Sequence, residues 1–143
     1  MTIARIVSNR PTGDIVTCGG DTPVRDAIAL LSEKRIGALP VEEGGNIAGI
    51  FSERDVIHCL AREGAAALDK PVRDVMTAPA ITVSPDTEVL TALALMTRRR
   101  IRHLPVTEGG RTVGFISIGD LVKYRIDRIE AEADAMRSYI QTA

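Results

Sequence analysis

Tryptophan is absent from this chain, and Phe and Tyr together supply two residues each. So few flat rings argue against a surface that stacks bases. Charge of one sign is also missing: the formal net charge is −1 over 143 residues. No global field therefore holds nucleic acid or an anionic membrane. Only two histidines, His58 and His103, are available for acid–base work. The two cysteines, Cys18 and Cys59, do not form a Cys-x-x-Cys pair. They define neither a metal site nor a disulfide framework and read as reduced thiols in a cytoplasmic protein. No apolar run approaches the roughly 18 residues of a membrane span, and the N-terminus has no signal-peptide pattern. Gly-x-Ser-x-Gly, Walker and metal-ligand motifs are missing as well, so a catalytic function is not expected.

What the chain does have is an internal repeat. Residues 15–55 align without gaps on 80–120, and roughly 18 of about 41 positions are identical. Leu39-Pro40-Val41 returns as Leu104-Pro105-Val106, and Glu43-Gly44-Gly45 as Glu108-Gly109-Gly110. Gly49, Ser52 and Asp55 return as Gly114, Ser117 and Asp120. A unit of about 60 residues buries too little surface to be stable alone, so the two halves are expected to pack on each other.

Within each half the pattern reads β-α-β-β-α. A short helix over residues 2–8 precedes a strand at 14–17, whose counterpart is 81–83. Asp21-Thr22-Pro23 and Asp86-Thr87 are expected to cap and open helices. Their apolar positions, Val24, Ala27, Ile28 and Leu31, then Val89, Ala92, Leu93 and Met96, recur at helical spacing. The glycine pairs mark hairpin turns. Ser52 and Ser117 open the closing helices, and Gly64 ends the first of them. The last is expected to continue to Tyr139, with Ile126, Ile129, Ala133, Met136 and Ile140 on one stripe that packs on the body or on a partner subunit. The boundaries that follow are a lead-in over 1–12, repeats over 13–64 and 75–125, a connector over 65–74 and a helical extension over 126–143.

Ser52-x-x-Asp55 and Ser117-x-x-Asp120 admit two readings. Each matches a helix capping box with Asp in place of Glu. Each also puts a carboxylate that can accept ribose hydroxyls beside free N–H groups that suit phosphate. The two roles are compatible. Arg102 and His103 stand where a strand's start could reach a phosphate, or else belong with Arg98, Arg99 and Arg100 to a solvated helix end. Arg54 has the same two readings. Copy one carries Gly37 and Ala38 in place of Arg102 and His103, so two unequal clefts are expected.

The doubled order of Ile36-Gly37-Ala38-Leu39-Pro40-Val41 with Gly49-Ile50-Phe51-Ser52, and of Arg100-Ile101-Arg102-His103-Leu104-Pro105-Val106 with Gly114-Phe115-Ile116-Ser117, resembles a tandem pair of CBS domains, the Bateman module. Met76-Thr77 and Ile81-Thr82-Val83 fit the same pattern. The resemblance spans about residues 14–125 and is closest in kind to short stand-alone bacterial members. It implies an α/β (α+β) fold, two β-α-β-β-α repeats packed through their sheets with pseudo-two-fold symmetry. It further implies a non-catalytic regulatory module that binds an adenine nucleotide between the repeats. AMP, ADP and ATP are the typical ligands, with NAD(H) or S-adenosylmethionine in some members. Ser52, Asp55, Ser117 and Asp120 take the ribose and phosphate positions, joined by Arg54, Arg102 and His103. Gly13, Ile15, Thr77, Ala80 and Ile81 fall at the adenine edge, and Ile36, Pro40, Ile101 and Pro105 at its apolar walls. A homodimer, a regulated protein partner and neither nucleic acid nor membrane complete the expectation. The alternative is a structural or dimerisation module with empty clefts.

Overall fold

The computed structural model describes residues 1–8 and 15–142. In copy one, β1 (Cys18–Gly19) pairs in parallel with β2 (Ala38–Glu43), which pairs antiparallel with β3 (Asn46–Ser52). The lead-in helix α1 (Ala4–Ser8) precedes them, α2 (Val24–Lys34) joins β1 to β2, and α3 (Glu53–Glu63) follows β3. Two 3-10 turns, Gly64–Asp69 and Val72–Asp74, form the connector. Copy two repeats the order with α4 (Val89–Arg99), β4 (His103–Glu108), β5 (Arg111–Ser117) and α5 (Ile118–Thr142).

Each repeat builds its own core. Val24, Ala27, Leu31, Leu39, Val41 and Phe51 are buried together in copy one. Their counterparts Val89, Ala92, Met96, Leu104, Val106 and Ile116 are buried in copy two. The cores are stitched together by an exchange of leading segments. Ile3, at the head of the chain, is fully buried in the core of copy two, while Val72, which precedes copy two, is fully buried in the core of copy one. Backbone bonds mirror the exchange. The Ile3 N–H donates to the Thr87 carbonyl (2.9 Å), and the Val72 N–H donates to the Thr22 carbonyl (2.8 Å). Neither repeat is complete without a segment from beyond it.

This exchange corrects two expectations. The residues before α2 and α4 do not cap them through side chains: the caps are Pro23 and Glu88, and neither makes a side-chain cap bond. The free Val24 N–H instead donates to the Lys70 carbonyl (2.8 Å), and the Val89 N–H to the Met1 carbonyl (3.2 Å). Backbone from the crossing segments satisfies donors that a first turn leaves open. Asp21 is drawn away into an ion pair with Arg73, which also meets Glu43 at 2.8 Å.

The opening strands are also shorter and later than expected. Residues 15–17 lie outside the ladder, and pairing is confined to Cys18 and Glu42's neighbour Val41, then Gly19 and Glu42. In copy two it shrinks to one parallel bridge, Val83 to Val106. Ile15 and Val16 line one cleft between the repeats and Ile81 lines the other, while Val16 and Ile81 also pack against the core of their own repeat. Asp14 lies outside the described residues. Along β3, Gly49 and Phe51 are buried while Ile47 and Ile50 are half-buried. One face therefore meets its own core, and the other turns toward β5 of the second repeat.

Gly49 and Gly114 are required by close approach. A Cβ at Gly49 would stand 2.7 Å from the Thr77 carbonyl oxygen, and one at Gly114 would stand 2.9 Å from Val7 Cγ2. The exchanged segments cross β3 and β5 at these points. The stripe on α5 does not pack on the body: Ile126, Ile129, Met136 and Ile140 are exposed. Among the described residues no helix is long and apolar enough to cross a membrane.

Candidate functional site: two unequal clefts between the repeats

Two clefts open where the ends of β2, β3, β4 and β5 meet the exchanged segments. The first, of about 400 Å³, gathers Ile15, Ile36, His103, Ser117 and Asp120, with Arg35 at its edge. The second, of about 560 Å³, gathers Ser52, Arg54, Asp55, Thr77, Ala80, Ile81, Ile101 and Arg102, with His103 and Ser117 on the shared wall. Both volumes lie in the range of small-ligand sites, about 300–1,000 Å³. Of the expected site residues, Pro40 and Pro105 line neither cleft. Both are buried inside the strand pairs, opposite Ile50 and Phe115 respectively. Gly13 lies outside the described residues.

The two Ser-x-x-Asp boxes are formed. The Ser52 N–H donates to Asp55 Oδ2 at 2.8 Å, and the Ser52 hydroxyl donates to the same oxygen at 3.1 Å. Both arms of the capping box are present in each copy. The Ser117 N–H donates to Asp120 Oδ2 (2.8 Å), and the Asp120 N–H donates to Ser117 Oγ (3.1 Å). Capping thus occupies one oxygen of each carboxylate. The other oxygen of Asp55 faces the second cleft and accepts from the Thr77 hydroxyl at 2.8 Å.

Arginine distinguishes the clefts. Among the described residues, Arg54, Arg99, Arg100 and Arg102 all line the second, whereas Arg35 lines the first. Arg54 Nη1 donates to the Arg100 carbonyl (2.9 Å), which ties the first turn of α3 to the end of α4. Arg35 and Arg100 occupy equivalent places, each in the left-handed region with φ of 54° and 55°. Each follows the last helical residue of α2 or α4, where a positive φ ends a helix. Arg99 and Arg100, expected on a solvated helix end, are exposed and line the second cleft. The signal was present: Arg35-Ile36 and Arg100-Ile101 are a conserved pair within the repeat.

His103 stands on the wall between the clefts. Its ring stacks on Phe115 with centroids 5.5 Å apart and planes at 15°. Burial lowers its pKa first and the Arg102 charge lowers it further, against the opposing pull of Asp120 and Glu53. Gly37, the counterpart of Arg102, lies against this wall: a Cβ there would stand in ordinary contact, 3.7 Å from both His103 Cε1 and a Glu53 carboxylate oxygen.

Two pseudo-symmetric repeats, exchanged leading segments and a carboxylate-marked cleft on either side define a tandem cleft module. The chain belongs to the CBS domain family, whose profile matches residues 4–62 and 72–127. A protein with CBS domains from Burkholderia ambifaria is 42% identical and superposes with a TM-score of 0.83, covering 89% of this chain and 95% of that one. The mitochondrial CBS domain-containing protein CBSX3 of Arabidopsis thaliana is 37% identical over 134 residues, which cover 90% of this chain and 65% of that protein's length. The structure of CBSX2 in complex with AMP is 26% identical with a TM-score of 0.74, covering 88% of this chain and 96% of that one. The fold is the mixed α/β architecture of CBS domain pairs.

Proposed function

We propose that the chain is a non-catalytic regulatory module that binds an adenosine-containing nucleotide between its repeats and reports energy or redox state to a partner protein in the cytoplasm. The observation that carries this reading is the second cleft, which is lined by the hydrogen-bonded Asp55 and Thr77 together with four arginines. Three donors already reach the Asp55 carboxylate, which has about four lone-pair positions. One ribose hydroxyl donates to Oδ1, and the vicinal hydroxyl donates to Thr77 Oγ1. The arginines take the phosphates through forked, charge-assisted bonds. Ala80 and Ile81 flank the base, with Ile101 as an apolar wall.

The AMP complex of the related CBSX2 supports the ligand class. The four arginines of the Asp55 cleft, against one among the described residues of the Asp120 cleft, support an ordering in which the Asp55 cleft prefers ATP or ADP. Arg35, Ile15, Ile36, Ser117 and Asp120 form the first cleft, the candidate second binding site.

Calorimetric titration of nucleotide-stripped protein with AMP, ATP, NADH and S-adenosylmethionine tests the reading. Micromolar binding is expected for at least one, with Asp55→Ala and Asp120→Ala each abolishing about one site per chain. No heat with all four ligands would leave the clefts empty and favour a structural module.

A further inference from the structure

The helix α5 runs well past the repeat it closes. Leu121 is buried in the core of copy two, with Ile118 and Tyr124 packed beside it, and no residue beyond Tyr124 joins that core. Yet an apolar row continues: Val122, Ile126, Ile129, Met136 and Ile140 are 43%, 48%, 49%, 60% and 66% exposed. With Ala133 they are spaced 4, 3, 4, 3 and 4 residues apart. A helix lying on its own body carries a wider stripe of period 3.6. Strict alternation of three and four is the narrow seam of a left-handed coiled coil. Val122, Ile129 and Met136 take the d positions, and Ile126, Ala133 and Ile140 the a positions.

The charges beside the seam select its partner. Lys123, Glu130 and Arg137 fall at e, and Arg125, Glu132 and Tyr139 at g. In a parallel, in-register pair each g residue meets the e residue five places on in the other strand. That sets Arg125 against Glu130 and Glu132 against Arg137, attractive in both directions. An antiparallel pair with the same seam overlap sets Glu130 on Glu130, Glu132 on Glu132 and Lys123 on Arg137, all repulsive. Within one chain Glu132 and Arg137 meet only exposed neighbours, Arg128 at 3.4 Å and Asp134 at 3.0 Å, so both remain available to a partner helix.

We propose that residues 122–142 of α5 form a parallel two-stranded coiled coil with the same helix of a second copy, which holds two cleft modules side by side about a two-fold axis. The seam begins at Val122, one residue after the core residue Leu121, so the orientation of the coil is fixed by the body of the repeat. This inference is independent of what the clefts bind.

Sedimentation equilibrium of the full chain tests it. The wild type is expected as a dimer, and Ile129→Glu with Met136→Glu as a monomer that keeps a cooperative thermal transition, because neither residue belongs to the core. Glu130→Arg places like charges on both symmetric pairs and is expected to raise the dimer dissociation constant about tenfold. Arg125→Glu added to Glu130→Arg reverses both partners and is expected to restore it. A wild-type monomer or trimer, a dimer that survives the seam substitutions, or a Glu130→Arg effect that Arg125→Glu does not reverse overturns the proposal.

Discussion

The Thr77 hydroxyl donates to Asp55 Oδ1 at 2.8 Å across the edge of the larger cleft. Thr77 arrives from the exchanged segment, and its backbone bonds reciprocally with Ile50 of β3 (2.9 Å each way). One side chain therefore joins the carboxylate of copy one to the entry of copy two. Thr77→Val keeps the shape and removes the bond. Thr77 is exposed, so stability is expected to change little, while nucleotide affinity at this cleft falls about five- to tenfold, the worth of one hydrogen bond of about 1 kcal/mol. Calorimetric titration beside a thermal melt separates the two effects. An equal fall in both cleft affinities would show that Thr77 acts through the fold rather than at its own site.

The crossing of the exchanged segments over β3 and β5 gives a second expectation. At Gly49 a Cβ meets the Thr77 carbonyl at 2.7 Å and Met76 Sδ at 2.8 Å, while at Gly114 it meets only the Val7 side chain, at 2.9 and 3.2 Å, and Val106 Cβ at 3.6 Å. A backbone carbonyl held in a bridge cannot swing aside, whereas a valine can turn. Gly49→Ala is therefore expected to cost about 1–3 kcal/mol, the range for overpacking, and Gly114→Ala less. Urea unfolding of the two variants orders them, and a reversed order would show that β5 and not β3 is the tighter crossing.

The repeat was legible because it is written in residues whose reasons are local. Leu39-Pro40-Val41 and Leu104-Pro105-Val106 sit in buried strands, and the Ser-x-x-Asp boxes cap α3 and α5 through bonds spanning three residues. The structure departs from the reading where distant segments intervene. Lys70 and Met1 supply carbonyls to α2 and α4 from 46 and 88 positions away, which no capping rule registers. Ile15, Val16 and Ile81 have strand-prone side chains, but they lie outside the ladders, lining clefts and, for Val16 and Ile81, packing on the cores. Pro40 and Pro105 fall at the apolar walls by resemblance, with core packing as the other reading; both are buried and line neither cleft. Arg98, Arg99 and Arg100 are all exposed at the helix end, as a solvated end predicts; that Arg99 and Arg100 also line the cleft follows from the turn at the left-handed Arg100, which the residue types do not announce.

His103 sets a pH dependence. Burial and then Arg102 hold its pKa below the ordinary 6.5, with Asp120 and Glu53 only partly opposing. The unfolded chain therefore binds this proton more readily than the folded one. Stability contributed by the neutral imidazole is complete above about 6.5 and declines as pH falls from there through the folded-state pKa. Tm is expected to drop over that acid window in the wild type and to drop less in His103→Gln. NMR titration of the His103 ring checks the cause: a midpoint at or above 6.5 contradicts it.

Arg35 and Arg100 hold a backbone conformation that a side chain disfavours, with φ of 54° and 55°. Glycine is the usual residue at this helix-ending position, and strain of this kind costs about 1–3 kcal/mol. Both positions instead carry arginine, and both arginines line clefts. If the guanidinium is kept for its charge, glycine should improve the fold and impair the site. Arg100→Gly is expected to raise Tm by about 3 °C, since part of the relief is offset by the freer unfolded chain. Its main-chain carbonyl remains to accept from Arg54, so the link between α3 and α4 persists. Affinity for ATP at the Asp55 cleft should fall about tenfold, the worth of one charge-assisted contact, while adenosine binding is nearly unchanged. Arg35→Gly should stabilise similarly and act on the Asp120 cleft alone. A stabilised Arg100→Gly that binds ATP as the wild type does would remove Arg100 from the ligand contacts and leave the strain without a functional account.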